Sequence, residues 1–255
     1  MNVLKSNIVL QLEVPTVLNS WSGSTLRGAL HNAFETLGDD TSKKANDVLF
    51  NTATKDNSLI TNTIIINGRD KHDISKTADF EITLFGDGIN YYGSIIDVLK
   101  NGVELNGVKA VLKYDSSELI EVESKLDISG DTLVVLFQTP VNFKKSFMDL
   151  SFRSILRACL LREKAVKKTC GLDYDMDYDG LLAEADKVEK TLTKLKKVDM
   201  VRNGSLGVTH VPCLVGFIKY KGDFTKFNEH LAFVQNFNIG KWCSMGLGKI
   251  EFMGV

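Results

Sequence analysis

Ser129-Gly130-Asp131-Thr132-Leu133-Val134-Val135-Leu136-Phe137-Gln138 is the stretch on which the fold turns. Small polar residues close a hydrophilic segment, and a run of apolar, partly β-branched residues opens directly after it. A boundary is therefore expected before 132 and a strand over 132–138. Working back from this point, Ile8, Leu10, Leu12 and Val14 alternate with polar residues and predict a strand over about 6–14. A helix is expected over 24–37, capped by Ser24 or Thr25, with Leu26, Leu30, Ala33, Phe34 and Leu37 on one stripe. Strands at 59–67 and 80–85, a helix at 91–100 ended by Asn101-Gly102, and a strand at 108–114 complete the order β-α-β-β-α-β. The polar segment 115–131 holds one short strand candidate at 119–122.

Working forward, the same order begins again. After strand 132–138 come helical stretches at 149–168 and 180–197 and a weakly marked strand near 204–208. A stronger strand follows at 212–220, then a helix at 224–235 with Phe224, Phe227, Leu231 and Val234 on one face, and a last strand at 249–253. The reading is an α+β chain of tandem ferredoxin-like (RRM-like) βαββαβ domains, residues 1–118 and 119–255. The two copies share an architecture and no evident sequence identity.

Composition agrees with a folded chain of this kind. Of 255 residues, 44% are apolar and 25% charged, which excludes disorder, collagen-like repeats and coiled coil as descriptions of the whole. The net charge is −1, so the chain is no global polycation and any grip on nucleic acid must come from local patches. No apolar run approaches the length of a membrane span, and the amino-terminal alternation is not that of a signal peptide. Cys159, Cys170, Cys213 and Cys243 form no CxxC and read as reduced thiols, consistent with a cytoplasmic location.

The segment richest in possible chemistry is Asn238-Ile-Gly240-Lys-Trp-Cys-Ser-Met-Gly246-Leu-Gly248-Lys249, between a helix and the terminal strand. Glycines let a backbone reach conformations with positive φ and approach a ligand closely. Consecutive exposed amides can form an anion-holding nest, here bracketed by Lys241 and Lys249, unless the segment is simply a tight turn. It is neither a Walker loop nor a dinucleotide fingerprint. Basic residues cluster at Lys144, Lys145, Arg153, Arg157, Arg162, Lys164, Lys167 and Lys168, against only Asp149 and Glu163. Arg153 and Arg157 share a helical face, so the cluster is either a phosphate-following strip or a solvated helix surface. A second group comprises Lys187, Lys190, Lys194, Lys196, Lys197 and Arg202.

His31 lies on the flank of the first helix, with Arg27 one turn earlier. A neighbouring cation disfavours imidazolium, so His31 is expected to be neutral near neutrality and able to accept a proton, unless it only packs the helix. His72, His210 and His230 are given no role. Asp175-x-Asp177-x-Asp179-Gly180 opens like a calcium loop closing on Asp186, but it also fits Asp179 capping a helix that begins at Leu181. No metal site and no cofactor are expected.

Several segments together resemble one family. Leu214-Val-Gly216-Phe-Ile-Lys-Tyr220-x-Gly222-Asp223-Phe224, a helix, and then Gly240-Lys-x-x-x-x-Gly246-Leu-Gly248 are similar to the ending of the CRISPR-associated endoribonucleases that process precursor CRISPR RNA, members of the RAMP superfamily. Ser24-Thr-Leu-Arg-Gly-Ala-Leu30, Asp47-x-Leu49-Phe50, Thr83-Leu-Phe-Gly86, Gln138-Thr-Pro140 and Ser151-Phe-x-x-Ile-Leu-Arg157 add to the resemblance, in the family's order. The resemblance implies tandem ferredoxin-like folds and metal-independent cleavage of CRISPR repeat RNA. In that reaction a ribose 2′-hydroxyl attacks the adjacent phosphate, leaving a 2′,3′-cyclic phosphate and a 5′-hydroxyl. It implies His31, on the first helix, as the base, with Lys43 and Lys44 in the following loop stabilising charge. Arg27, Lys144, Lys145, Arg153, Arg157, Gly240, Lys241, Ser244, Gly246, Gly248 and Lys249 are the implied RNA contacts. Partners are then repeat RNA or crRNA and other Cas effector subunits, with no membrane. A non-catalytic RAMP-type RNA-binding subunit is the alternative.

Overall fold

Strand β1 (Asn2–Thr16) lies at the centre of the first sheet, and its alternation gives it a buried, mainly apolar face: Ile8, Leu10 and Leu12 are buried with Ser6, whereas Asn7 is exposed. A computed structural model of the chain describes residues 1–18, 21–50, 62–68, 74–128, 130–143, 149–204 and 207–255, without the side chains of 202–204. Helices α1 (Ser22–Leu37) and α2 (Asp40–Phe50) follow, then β2 (Ile64–Gly68), β3 (Ser75–Phe85), α3 (Tyr92–Asn101), β4 (Val103–Leu105) and β5 (Val108–Glu121). The sheet order is β2-β3-β1-β5-β4. β1 is antiparallel to both neighbours, with Lys5 opposite Thr83 of β3 and Glu118 of β5. Without the short β4 hairpin strand, this is the ferredoxin-like order in which the first strand lies between the third and the last.

The second half repeats that order. Strand β6 (Thr132–Val141), helices α4 (Phe152–Thr169) and α5 (Tyr178–Ala185), strands β7 (Glu189–Gly204) and β8 (Gly207–Lys221), helix α6 (Asn228–Val234) and strand β9 (Ile250–Gly254) form a sheet ordered β7-β8-β6-β9. Leu133 of β6 faces Tyr220 of β8 on one side and Gly254 of β9 on the other. The tandem ferredoxin-like reading of the sequence is thus the architecture observed.

Each half buries its own core. Ile8, Leu10, Leu26, Leu30, Phe34, Phe80 and Ile82 belong to the first; Leu133, Phe137, Phe152, Ile155, Phe227 and Leu231 belong to the second. Phe152 meets the edges of Tyr220, Phe224 and Phe227 with centroids 5.1–5.4 Å away, the offset geometry aromatic rings favour. The chain packs as two compact units. One is Met1–Glu121 with Val201–Thr209 and Ser244–Gly246; the other is Val122–Met200, His210–Cys243 and Leu247–Val255.

Several expectations are corrected. The helix expected over 180–197 ends at Ala185, and the long strand β7 takes its place. The strand candidate at 119–122 is the end of β5, which runs through the polar segment. Helix α1 begins at Ser22 with no side-chain cap, and Leu37 is 55% exposed instead of joining the buried stripe. The helix expected over 224–235 is a 3₁₀ turn, Thr225–Phe227, followed by α6. The cap of α5 is Asp177, not Asp179: its carboxylate accepts from the Gly180 amide at 2.9 Å. The first residues of the strand expected at 59–67 lie outside the described residues.

Candidate active site

Gly38 ends α1 in the left-handed conformation, φ 63°, donating its amide to the Phe34 carbonyl. Asp39 then starts α2 at once: its carboxylate accepts from the Thr41 and Ser42 amides at 2.9 Å and from the Ser42 hydroxyl at 2.6 Å. These bonds, the Ser42 hydroxyl foremost, hold the Asp39 carboxyl below its usual range. The tight Gly38–Asp39 link folds α2 back so that Asn46 and Phe50, one turn apart, both meet α1.

There the site takes shape around His31, which is half-buried. Its Nδ1 lies 2.7 Å from the Asn46 side-chain oxygen, and the Asn46 amide nitrogen donates to the Glu35 carboxylate. Asn46 itself is 2% exposed. The Phe50 ring stands edge-on to the imidazole, centroids 5.9 Å apart at 74°. The Arg27 guanidinium sits 5.1 Å over the same ring and donates to the Phe50 carbonyl at 3.3 Å. His31 and Arg27 are thus held by one aromatic side chain. Lys43 and Lys44 do not lie in a loop, as expected, but on α2, and both are exposed. Helical spacing puts Lys43 three residues before Asn46, on its side of α2; Lys44 points well away from it.

The glycine-rich segment differs from a bare nest. The Ile239 amide donates to the Gly248 carbonyl (2.8 Å), Lys241 to Asn142 (2.9 Å), Gly248 to Pro140 (2.9 Å) and Lys249 to the Thr139 hydroxyl (2.8 Å). The Asn238 side chain donates to the Leu247 carbonyl at 3.1 Å from inside the loop. Gly246 and Gly248 are buried, with φ 90° and 77°. A Cβ at Gly248 would overlap the Ile239 carbonyl oxygen, and one at Gly246 the Ile66 carbonyl oxygen. The expectation of a row of bare amides is corrected: several already serve the loop, and these glycines admit neighbouring backbone. The rim open to solvent is Gly240 and Lys241, with Trp242, Ser244 and Lys249 half-exposed.

Ser244–Gly246 groups with the first unit. Trp21, at the start of α1, donates its indole N–H to the Met245 carbonyl at 2.7 Å, and the Ser24 hydroxyl approaches the Met245 sulfur at 3.7 Å. From Ser24 to His31 is seven residues, about 10 Å along the helix axis. One helix therefore carries the Met245 contacts at its start and the histidine two turns later.

The basic strip on α4 is broken up. Arg153 pairs with Asp186 at 2.6 Å and donates to the Leu182 carbonyl, so its guanidinium is engaged. Arg162 is buried, donating to the Phe237 carbonyl at 2.8 Å, and Lys167 pairs with Glu163 at 2.7 Å. Arg157, Lys164 and Lys168 remain exposed. Lys144, Lys145 and His72 lie outside the described residues. His230 is buried against Glu163, 2.8 Å away, and exposed His210 pairs with Asp199. Cys159, Cys213 and Cys243 are buried; burial raises the Cys213 thiol to about 11, with Asp199 adding to it.

Asn46, Phe50 and Glu35 are the site residues that the sequence did not yield as such. The one signal was Asp47-x-Leu49-Phe50, which marked the segment and not its roles.

These features define a class: a protein of two ferredoxin-like units with a histidine-bearing first helix and a glycine-rich segment before the last strand. Residues 135–250 match the family model of the CRISPR-associated endoribonuclease Cas6, which is the family the sequence resembles. A Cas6 product complex is similar in structure at TM-score 0.69 and 13% identity, covering 98% of this chain and 99% of that one. Thermus thermophilus Cas6 gives TM-score 0.64 at 13% identity over 98% of each chain. A Cas6b crystal structure gives 0.55 at 15% over the whole of both. At such identities the likeness shows the fold. No curated protein matches by sequence. Among the described residues no helix is long and apolar enough to cross a membrane.

Proposed function

We propose that this chain binds CRISPR repeat RNA and cuts it as a precursor-crRNA endoribonuclease. The observation that carries the reading is His31, half-buried on α1 with Arg27 and Phe50 around it, on the helix whose start meets Met245. The family match over 135–250 supports it, as do neighbours described as a Cas6 product complex and a Cas6 substrate mimic complex.

In this reading the imidazole of His31 takes the proton of the ribose 2′-hydroxyl. The O2′–P bond forms and the P–O5′ bond breaks, its electron pair passing to O5′, which takes a proton from water. The products are a 2′,3′-cyclic phosphate and a 5′-hydroxyl, and the imidazolium returns its proton to solvent. No metal takes part. Lys43 and Arg27 supply positive charge near the phosphorane. Lys241, Lys249 and Ser244 on the rim of the glycine-rich segment, with Arg157 elsewhere, contact the backbone of the RNA. Base stacking and base-edge contacts add to this, which suits a near-neutral chain.

The test is incubation of the protein with end-labelled repeat RNA in EDTA, followed by mapping the cut and its termini. Cleavage leaving a cyclic phosphate supports the reading. Tight binding without cleavage gives the alternative, a non-catalytic RAMP-type subunit for other Cas effector proteins. Neither binding nor cleavage overturns both.

A further inference from the structure

The hydrogen bonds around His31 carry information about where its proton sits. An ionised carboxylate only accepts, so the Asn46 atom that faces exposed Glu35 is the amide nitrogen. That fixes the orientation of the Asn46 amide and turns its oxygen to His31 Nδ1, 2.7 Å away. An amide oxygen has no proton to give, so in this bond Nδ1–H donates. In the neutral ring the lone pair is then on Nε2. Free histidine side chains in water prefer the opposite arrangement, with the proton on Nε2.

We propose that Asn46, anchored by Glu35, is a positioning residue that holds His31 in the Nδ1–H tautomer and so makes Nε2 the nitrogen that accepts the 2′-hydroxyl proton. The inference rests on His31 being the base. Burial of Asn46 keeps water from competing for the ring nitrogen. The Phe50 ring lies beside the imidazole, centroids 5.9 Å apart at 74°. The arrangement follows the general logic of a base oriented by a third group, here an amide and not a carboxylate.

Two measurements test it, and the first needs no RNA. Nitrogen chemical shifts of the His31 ring, recorded where imidazole is neutral, should show a protonated Nδ1 in the wild type. They should move toward the Nε2–H form in Asn46→Ala. A wild-type ring protonated on Nε2 overturns the proposal, whatever the protein does to RNA.

The second is a double-mutant cycle on single-turnover cleavage at saturating protein. Asn46→Ala should slow cleavage about tenfold with RNA affinity unchanged, as for an interaction felt in the transition state. In a His31→Ala background the same change should have no further effect. An equal loss in both backgrounds, or none in either, overturns the proposal but leaves the nuclease reading standing. Should Asn46→Ala fold poorly, the pair Glu35→Gln with Asn46→Asp exchanges donor and acceptor and keeps Nδ1–H bonded. It should cleave within a few-fold of wild type, whereas Asn46→Asp alone sets two carboxylates together and should cleave more slowly. A double variant no faster than Asn46→Asp alone also counts against the proposal.

Discussion

General bases typically contribute two to four orders of magnitude to a proton-transfer step, so His31→Ala should slow cleavage at least about a hundredfold. RNA affinity should be retained, since the ring removes a proton and does not neutralise phosphate. Single-turnover rates beside equilibrium binding check this, and full activity in the variant removes His31 from the mechanism. Gly248→Ala tests a different residue-scale claim. With φ at 77° and the Ile239 carbonyl oxygen where a methyl group would go, alanine should destabilise the loop. A cost of about 1–3 kcal/mol is the usual range for such strain, read as a lower melting temperature. A variant that melts like wild type while losing RNA would restore the idea of bare amides reaching phosphate. His31 was legible because helical spacing put it on a flank beside Arg27. Asn46 was not: a lone Asn in a polar stretch looks solvated, and its partner lies 15 residues away.

At the scale of elements, α2 matters because it carries Asn46, Phe50 and Lys43, and Asp39 holds its first turn. The Asp39 carboxyl is depressed in the fold by its bonds to Ser42 and Thr41. Its contribution is therefore complete above the unfolded-state pKa and is lost as pH falls through the lower folded one. The difference in melting temperature between wild type and Asp39→Ala should be full at neutral pH and should shrink on acidification below the ordinary carboxylate range. A difference that stays constant as the pH is taken down through the ordinary carboxylate range and below it would overturn this. Helix α2 escaped the sequence reading because Asp, Thr, Ser and Asn fill much of it, residues as apt for loops as for helices. β7 misled in the opposite way. Its Lys, Leu and Glu residues are good helix formers, and its side chains are mostly exposed, so little burial pattern revealed the strand.

For the whole molecule, the repeated element order was the most legible feature, because each half buries its own core and writes its own periodicity. What the sequence could not show is that the units are not two consecutive stretches: Ser244–Gly246 belongs with Met1–Glu121. A fragment of residues 1–121 should therefore melt lower than the intact chain. Its single tryptophan, Trp21, should emit at longer wavelength than Trp21 does in full-length Trp242→Phe, because the indole has lost the Met245 carbonyl and its surroundings. An unchanged emission maximum would mean that the late segment adds nothing to the first unit.

That return of the chain sets an order of events during synthesis. Trp21 and Met245 are 224 positions apart, so at ordinary elongation speeds roughly 10–45 s separate the emergence of one from that of the other. Throughout that interval the nascent amino-terminal unit lacks the carbonyl that accepts from the Trp21 indole. A message cut short before codon 245 would yield a product with an open indole, ready for chaperones or proteases to notice.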